Sequence, residues 1–246
     1  MSITNNVARA KTDYDEVYEA GKQAQYDEFW DAFQQNGSRR DYKYGFAGVG
    51  WRNDTLYPKY SMVVDNANYM FQQCNFSGSL KERLDECGVE LTFKTGSFTS
   101  AFVDFGGCTE LPLIDLSLST FPGATFQSMK KLHTLPIILP TAEKVNWNST
   151  FNSCIALVNL SLTGKIYNRN GNALNLSWSK KLSKASIENV IECLDTSVTD
   201  QYITLSLTAV NNAFETSTGA ADGSTSTEWA NLIATRSNWT INLLDS

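Results

Sequence analysis

Ser149–Leu162 reads STFNSCIALVNLSL. Its apolar residues Phe151, Cys154, Leu157, Leu160 and Leu162 follow one another at offsets of three, three, three and two. An amphipathic helix alternates steps of three and four, and a half-buried strand steps by two throughout. The stretch does neither for long, so a single element does not explain it. A fixed offset pattern that recurs along a chain instead marks stacked units, each too small to bury its own apolar face.

The pattern recurs twice upstream. FGGCTELPLIDL supplies Phe105, Cys108, Leu111, Ile114 and Leu116, and FQSMKKLHTLPI supplies Phe126, Met129, Leu132, Leu135 and Ile137. A weaker copy opens at Phe71 and Cys74 in MFQQCNF and then loses its leucines. The shared form is F-x2-C/M-x2-L-x2-L/I-x-L/I, repeating at about 20 to 25 residues, the interval of a leucine-rich solenoid turn. Each copy is expected to form a turn or short helix around its Phe and Cys, followed by one strand on the final L-x-L. In this alignment Cys108 and Cys154 share one slot with Met129.

The flanks differ in style. Asp13–Phe33 reads as a helix whose Tyr26, Phe29, Trp30 and Phe33 lie on one stripe, with Gly37 as its stop. Residues 41–60 are rich in Gly and aromatics and read as short extended pieces and turns. After the repeats, Ile187, Val190, Ile191 and Leu194 form a helical face behind the candidate cap Ser183, and Tyr202–Leu207 reads as a strand. The unit then recurs: Thr225 and Glu228 have capping-box spacing, Trp229, Leu232 and Ile233 give a helical face, and Trp239, Ile241 and Leu243 alternate as a closing strand. Such units are expected to extend the parallel sheet, the last one capping its edge. The fold expected is α+β: an N-terminal helix and anchoring segment over 1–66, a leucine-rich-repeat solenoid with a parallel sheet over 67–166, and C-terminal helix–strand units and cap over 167–246.

With these units placed, MFQQC, FGGCTELPLIDLS and FNSCIALVNLSL resemble the BspA-type leucine-rich repeats of bacterial surface antigens and of gut phage and prophage proteins. The run from KKLSKASIENVIECL through ITLSL to WANLIATRSNWTINL is similar to the closing module of those proteins. VYEAGKQAQYDEFWDAFQQNGSRRDYKYGFAGVGW followed by YPKY resembles the N-terminal segment of small phage-associated members. One departure is that Ser119, Pro140 and Lys165 stand where many leucine-rich repeats carry Asn or Cys after the strand, so no asparagine ladder is expected. The resemblance implies a virion component of fibre or tail-tip type, with other virion proteins and a host cell-surface receptor or glycan as partners. A bacterial adhesin or surface antigen domain is the alternative it leaves.

Composition limits the chemistry. The 246 residues are 42% hydrophobic and carry a net charge of −6 without a basic stripe, which disfavours nucleic acid and anionic lipid as partners. The N-terminus has no apolar signal region and no segment approaches a membrane span, so the chain is expected to be made in a cytosol and to stay there unless it leaves by lysis or on a particle; the resemblance implies a virion assembled in a bacterial cytoplasm. Five cysteines without a CxxC pair read as small buried hydrophobes. A lone histidine, His133, supplies neither a hydrolase triad nor a zinc site. The carboxylate groups Asp27/Asp31 and Asp13/Asp15/Glu16 read as a solvated helix face, Gly48-Val49-Gly50 lacks the rest of a dinucleotide loop, and Gly21-Lys22 lacks that of a Walker loop. The sequence therefore predicts a binding or structural protein without catalytic residues, metal or cofactor, and an enzyme on surface glycan is the third reading. Trp51, Tyr57 and Tyr60 are candidates for stacking on sugar rings. The aromatic stripe at Tyr26–Phe33 predicts a homo-oligomer, a trimer favoured, held at the N-terminal segment.

Overall fold

Why a period of three should persist along this chain is visible in the backbone. The structure, a computed structural model, describes residues 60–63, 67–73, 77–86, 89–94, 96, 98–168, 172–214 and 226–246. Around Phe71, Phe102, Phe126 and Phe151 the chain runs through consecutive tight turns. Each is flanked by two non-glycine residues in the left-handed region, four apart: Tyr69 and Gln73, Ser100 and Asp104, Ala124 and Ser128, Ser149 and Ser153. Such a conformation is costly and persists only where its surroundings over-determine it. Here each turn bonds to the next: Phe71 N donates to Ala101 O (2.7 Å), Phe102 N to Thr125 O (2.8 Å) and Phe126 N to Thr150 O (3.0 Å). The buried hydroxyls of Thr125 and Thr150 reach back to the carbonyls of Phe98 and Pro122, one turn earlier.

The phenylalanines stack into a ladder. Ring centroids lie 5.2 Å apart for Phe71–Phe102, 5.9 Å for Phe102–Phe126 and 5.5 Å for Phe126–Phe151, and all four rings are buried. This places Phe102, not Phe105, level with Phe126 and Phe151. The strands agree, since Ile114 pairs with Ile137 and Ile137 with Leu162. The FGGCTELPLIDL copy is therefore shifted from the register read in the sequence, by three at the ring and by two at Ile114. Phe105 stands with Met129 and Cys154, and Cys108 with Leu132 and Leu157, so Cys108 and Cys154 occupy different slots.

Ten strands and four helices are formed among the described residues. β1 (Tyr60–Val63), β3 (Val89–Lys94), β5 (Ile114–Asp115), β6 (Thr134–Ile138) and β7 (Asn159–Thr163) lie side by side, all parallel, and β2 (Ser77–Ser79) and β4 (Gly107–Glu110) join β6 at its start. β4 and β5 are two halves of one strand, separated by Leu111-Pro112-Leu113; Pro112 lacks the N–H that a continuous ladder needs. β2 and β3 are likewise separated, by the short helix α1 (Leu80–Glu86). The third and fourth units carry unbroken strands, β6 and β7.

Beyond β7 the sheet is not extended, contrary to the expectation from the helix–strand spacing. Helix α2 (Lys184–Cys193), capped by Ser183 as its sequence predicts, lies along the β7 edge and satisfies it. Leu160 N donates to Ser186 Oγ (2.9 Å), and Asn189 takes Leu162 N at Oδ1 (2.6 Å) while its Nδ2 donates to Leu162 O (3.1 Å). A helix thus covers an edge that would otherwise template further pairing. The remaining strands form a second parallel sheet in the order β10 (Trp239–Leu243), β9 (Gln201–Leu205), β8 (Asn175–Leu176). Two helices join β9 to β10. The first, α3 (Leu207–Phe214), starts at the last residue of the strand read over Tyr202–Leu207, where the sequence marks no helix; the second, α4 (Thr227–Ala234), is capped by Ser226 rather than Thr225. Their rings Phe214 and Trp229 meet at 5.2 Å. The chain is thus a mixed α and β fold built on parallel sheets. No helix among the described residues is long and apolar enough to cross a membrane.

Candidate ligand groove at the strand ends

The fifteen repeat positions singled out in the sequence, Phe105, Cys108, Leu111, Ile114, Leu116, Phe126, Met129, Leu132, Leu135, Ile137, Phe151, Cys154, Leu157, Leu160 and Leu162, are all buried. They form the core. Burial pushes the thiols of Cys108 and Cys154 up to about 12, and both are free of disulfides, as is Cys193. His133 is exposed, its backbone carbonyl joining two units by accepting from Val158 N and Asn159 N. Tyr26, Phe29, Trp30, Phe33, Trp51 and Tyr57, with the carboxylate pairs and the Gly48 and Gly21 motifs, lie outside the described residues. So does the side chain of Tyr60. Among the described residues no three His, Cys, Asp or Glu side chains gather closely enough to hold a metal ion.

What the fold does assemble is a groove of about 590 Å³ lined by Thr120, Phe121, Glu143, Lys144, Asn146, Asn168 and Gln201. Its walls come from the loops that leave β5, β6 and β7 at their carboxyl ends, closed by the first residue of β9. Parallel sheets direct these loops to one end, where ligands of open parallel-sheet proteins are commonly held.

Each wall has a local cause. Phe121 is 42% exposed, and its ring lies against Gly123: a Cβ there would fall 2.4 Å from the ring. Asn146 is fixed by its backbone N donating to Thr120 O and by its Oδ1 accepting from Asn148 N (3.1 Å). Asn168, only 7% exposed, is a clasp between the two sheets. Its Nδ2 donates to Tyr202 O (2.6 Å), its Oδ1 accepts from Leu174 N (3.3 Å), and its N donates to Gln201 Oε1 (2.9 Å). Beneath them the buried Trp147 donates from Nε1 to Tyr167 O (2.8 Å).

The groove's polar groups are of both kinds, and several are left free. Among the described residues the Thr120 hydroxyl, the Glu143 carboxylate, the Lys144 ammonium, Asn146 Nδ2 and Gln201 Nε2 make no hydrogen bond. Beside them the Tyr167 hydroxyl is pushed up by burial and then by the carboxylates of Asp195 and Glu143. Asp195 itself is held below the usual carboxylate range, chiefly by the Ser197 hydroxyl and also by its bonds from Ser197 N (2.7 Å) and Tyr167 Oη (3.2 Å). Such a surface can offer donors, acceptors and one aromatic face at once. The sequence reading missed it because its residues are ordinary loop polars scattered over some eighty positions, and only the register of the strands brings them together.

No protein-family model, no curated protein and no solved structure matches the chain.

Proposed function

We propose that this chain is an attachment protein: a BspA-type leucine-rich-repeat stack, carried on a phage virion as a fibre or tail-tip component, that meets the host cell through its repeat surface. The observation that carries the reading is the phenylalanine ladder with its strands in register. Such a frame stacks equivalent loops into one rigid, broad face, and binding to another surface is what an array of this kind does best. The groove at the strand ends supports it, because its free polar groups are placed for recognition. The N-terminal stripe Tyr26, Phe29, Trp30 and Phe33 belongs to the same proposal as the contact through which copies join, giving several weak sites on one stalk.

The test uses the full chain, fluorescently labelled, on a panel of bacterial cells, together with mass spectrometry of particles released when the producing strain's prophage is induced. Saturable decoration of a restricted set of strains and presence in the particles are expected. Decoration of no strain, with absence from the particles, overturns the proposal.

A further inference from the structure

We infer that the groove between the strand-end loops binds a neutral oligosaccharide, with the Phe121 ring as the platform for one sugar face. The inference rests on the attachment reading for its biological setting, while the chemistry comes from the groove itself.

Sugars present two kinds of surface: an apolar face of C–H groups and an edge of hydroxyls that both donate and accept. The groove supplies a match for each. Phe121 offers an open aromatic face, and Gly123 leaves room for the ring where it lies, since a side chain there would displace it. Around it stand acceptors and donors without partners among the described residues: Glu143 to accept, Asn146 Nδ2 and Gln201 Nε2 to donate, Thr120 to do either. Two of them are held before any ligand arrives, because Gln201 Oε1 and Asn146 Oδ1 are already engaged by backbone N–H groups. Preorganisation of this sort lowers the ordering cost of binding. A volume of about 590 Å³ falls in the range of small-molecule sites.

Charge selects against other ligands. Lys144 stands in the lining with Glu143, so the described lining carries no net charge to capture a phosphate or an acidic sugar. A nucleic acid would need several cations along a track, and the described lining has one. An apolar peptide anchor would need a deeper greasy pocket than one aromatic ring provides.

The experiment is saturation-transfer NMR on the full chain, with chitotriose, cellotriose and maltotriose as probes and an array of defined neutral oligosaccharides as the survey. Transfer to ring C–H protons of at least one neutral oligosaccharide is expected. Phe121→Ala should weaken that binding by roughly tenfold, and Phe121→Trp should preserve it. Gly123→Ala, which leaves Phe121 in place but pushes its ring aside, should weaken binding like Phe121→Ala. Unchanged melting of these variants separates lost recognition from lost fold. An array with no neutral-sugar binder overturns the inference, as does binding unaffected by both Phe121→Ala and Gly123→Ala, or cell binding confined to an isolated surface protein. The two proposals fail separately. Saturable cell binding without any neutral-sugar binder sinks the groove and leaves attachment standing; groove-dependent sugar binding without cell decoration does the reverse.

Discussion

Phe126 lies between Phe102 and Phe151 with no access to solvent, so truncating it opens a gap in the middle of the ladder. Phe126→Ala should destabilise by roughly 3–5 kcal/mol in urea denaturation, the usual cost of removing a buried aromatic side chain. Phe126→Leu, which keeps most of the volume, should cost clearly less. Equal losses for both would mean that the ladder gains nothing from ring-on-ring contact beyond filled space. At the opposite extreme of polarity, Asp195 is bonded by Ser197 and Tyr167, and its backbone carbonyl accepts from Trp239 Nε1 (2.7 Å) and Asn238 Nδ2 (3.0 Å). Its depressed pKa fixes the sign of a pH effect. The unfolded chain takes up the proton first, so the stabilisation is complete above the ordinary Asp value of about 3.9 and fades as the pH falls below it. Thermal melts of the wild type should therefore drop below about pH 4, and Asp195→Asn should be less stable at neutral pH but show a shallower acid loss. A variant with the full wild-type acid dependence would place that dependence in other carboxylates.

At the scale of elements, α2 is the piece that ends the first sheet. Ser186 and Asn189 stand one helical turn apart, so both side chains face β7 and replace the partners of the next strand. The helix end is held in turn by Arg236, whose guanidinium donates to Leu194 O (3.1 Å) and Glu192 O (3.0 Å), satisfying carbonyls that α2 leaves unpaired. Asn189→Leu fits a helix but strands Leu162 N without a partner. It should cost roughly 1–3 kcal/mol and raise the tendency to self-associate through β7, readable by melting and by turbidity on heating. Wild-type stability in that variant would show that the helix packs on the edge without serving its hydrogen bonds. The same element shows where a spacing pattern stops being informative. Ile187, Val190 and Ile191 announce the helix and its buried face, and both are present. The polar Ser186 and Asn189, which decide that the sheet ends there, look like any other helical polar residue.

For the whole molecule, the N-terminal aromatic stripe carries the proposal of a trimer. Light scattering on the full chain should give a multiple of 27.3 kDa, three being expected, and Trp30→Asp should reduce it to a monomer with the repeat core still folded. A monomeric wild type removes the oligomer from the proposed function. By itself, the amino-acid sequence determined that this chain stacks. The recurrent offsets of three, the final alternation of β6 and β7, the buried cysteines and the cap at Ser183 are local signals, set by which side chains point inward from neighbouring backbone positions. Tertiary structure alone decided the register. Phe102, Phe105, Cys108 and Leu111 are themselves three apart, so the steps of three allow that copy to slide by one step; ring contact with Phe71 and Phe126 and the pairing of Ile114 with Ile137 remove the ambiguity. Tertiary structure likewise decided that a second sheet forms instead of an extension of the first, and that Thr120, Phe121, Glu143, Lys144, Asn146, Asn168 and Gln201 share a groove. The reason in each case is the same. Periodicity reports how a residue faces its own segment, whereas register, sheet ends and sites depend on contacts between residues distant in the chain, which leave no periodic trace.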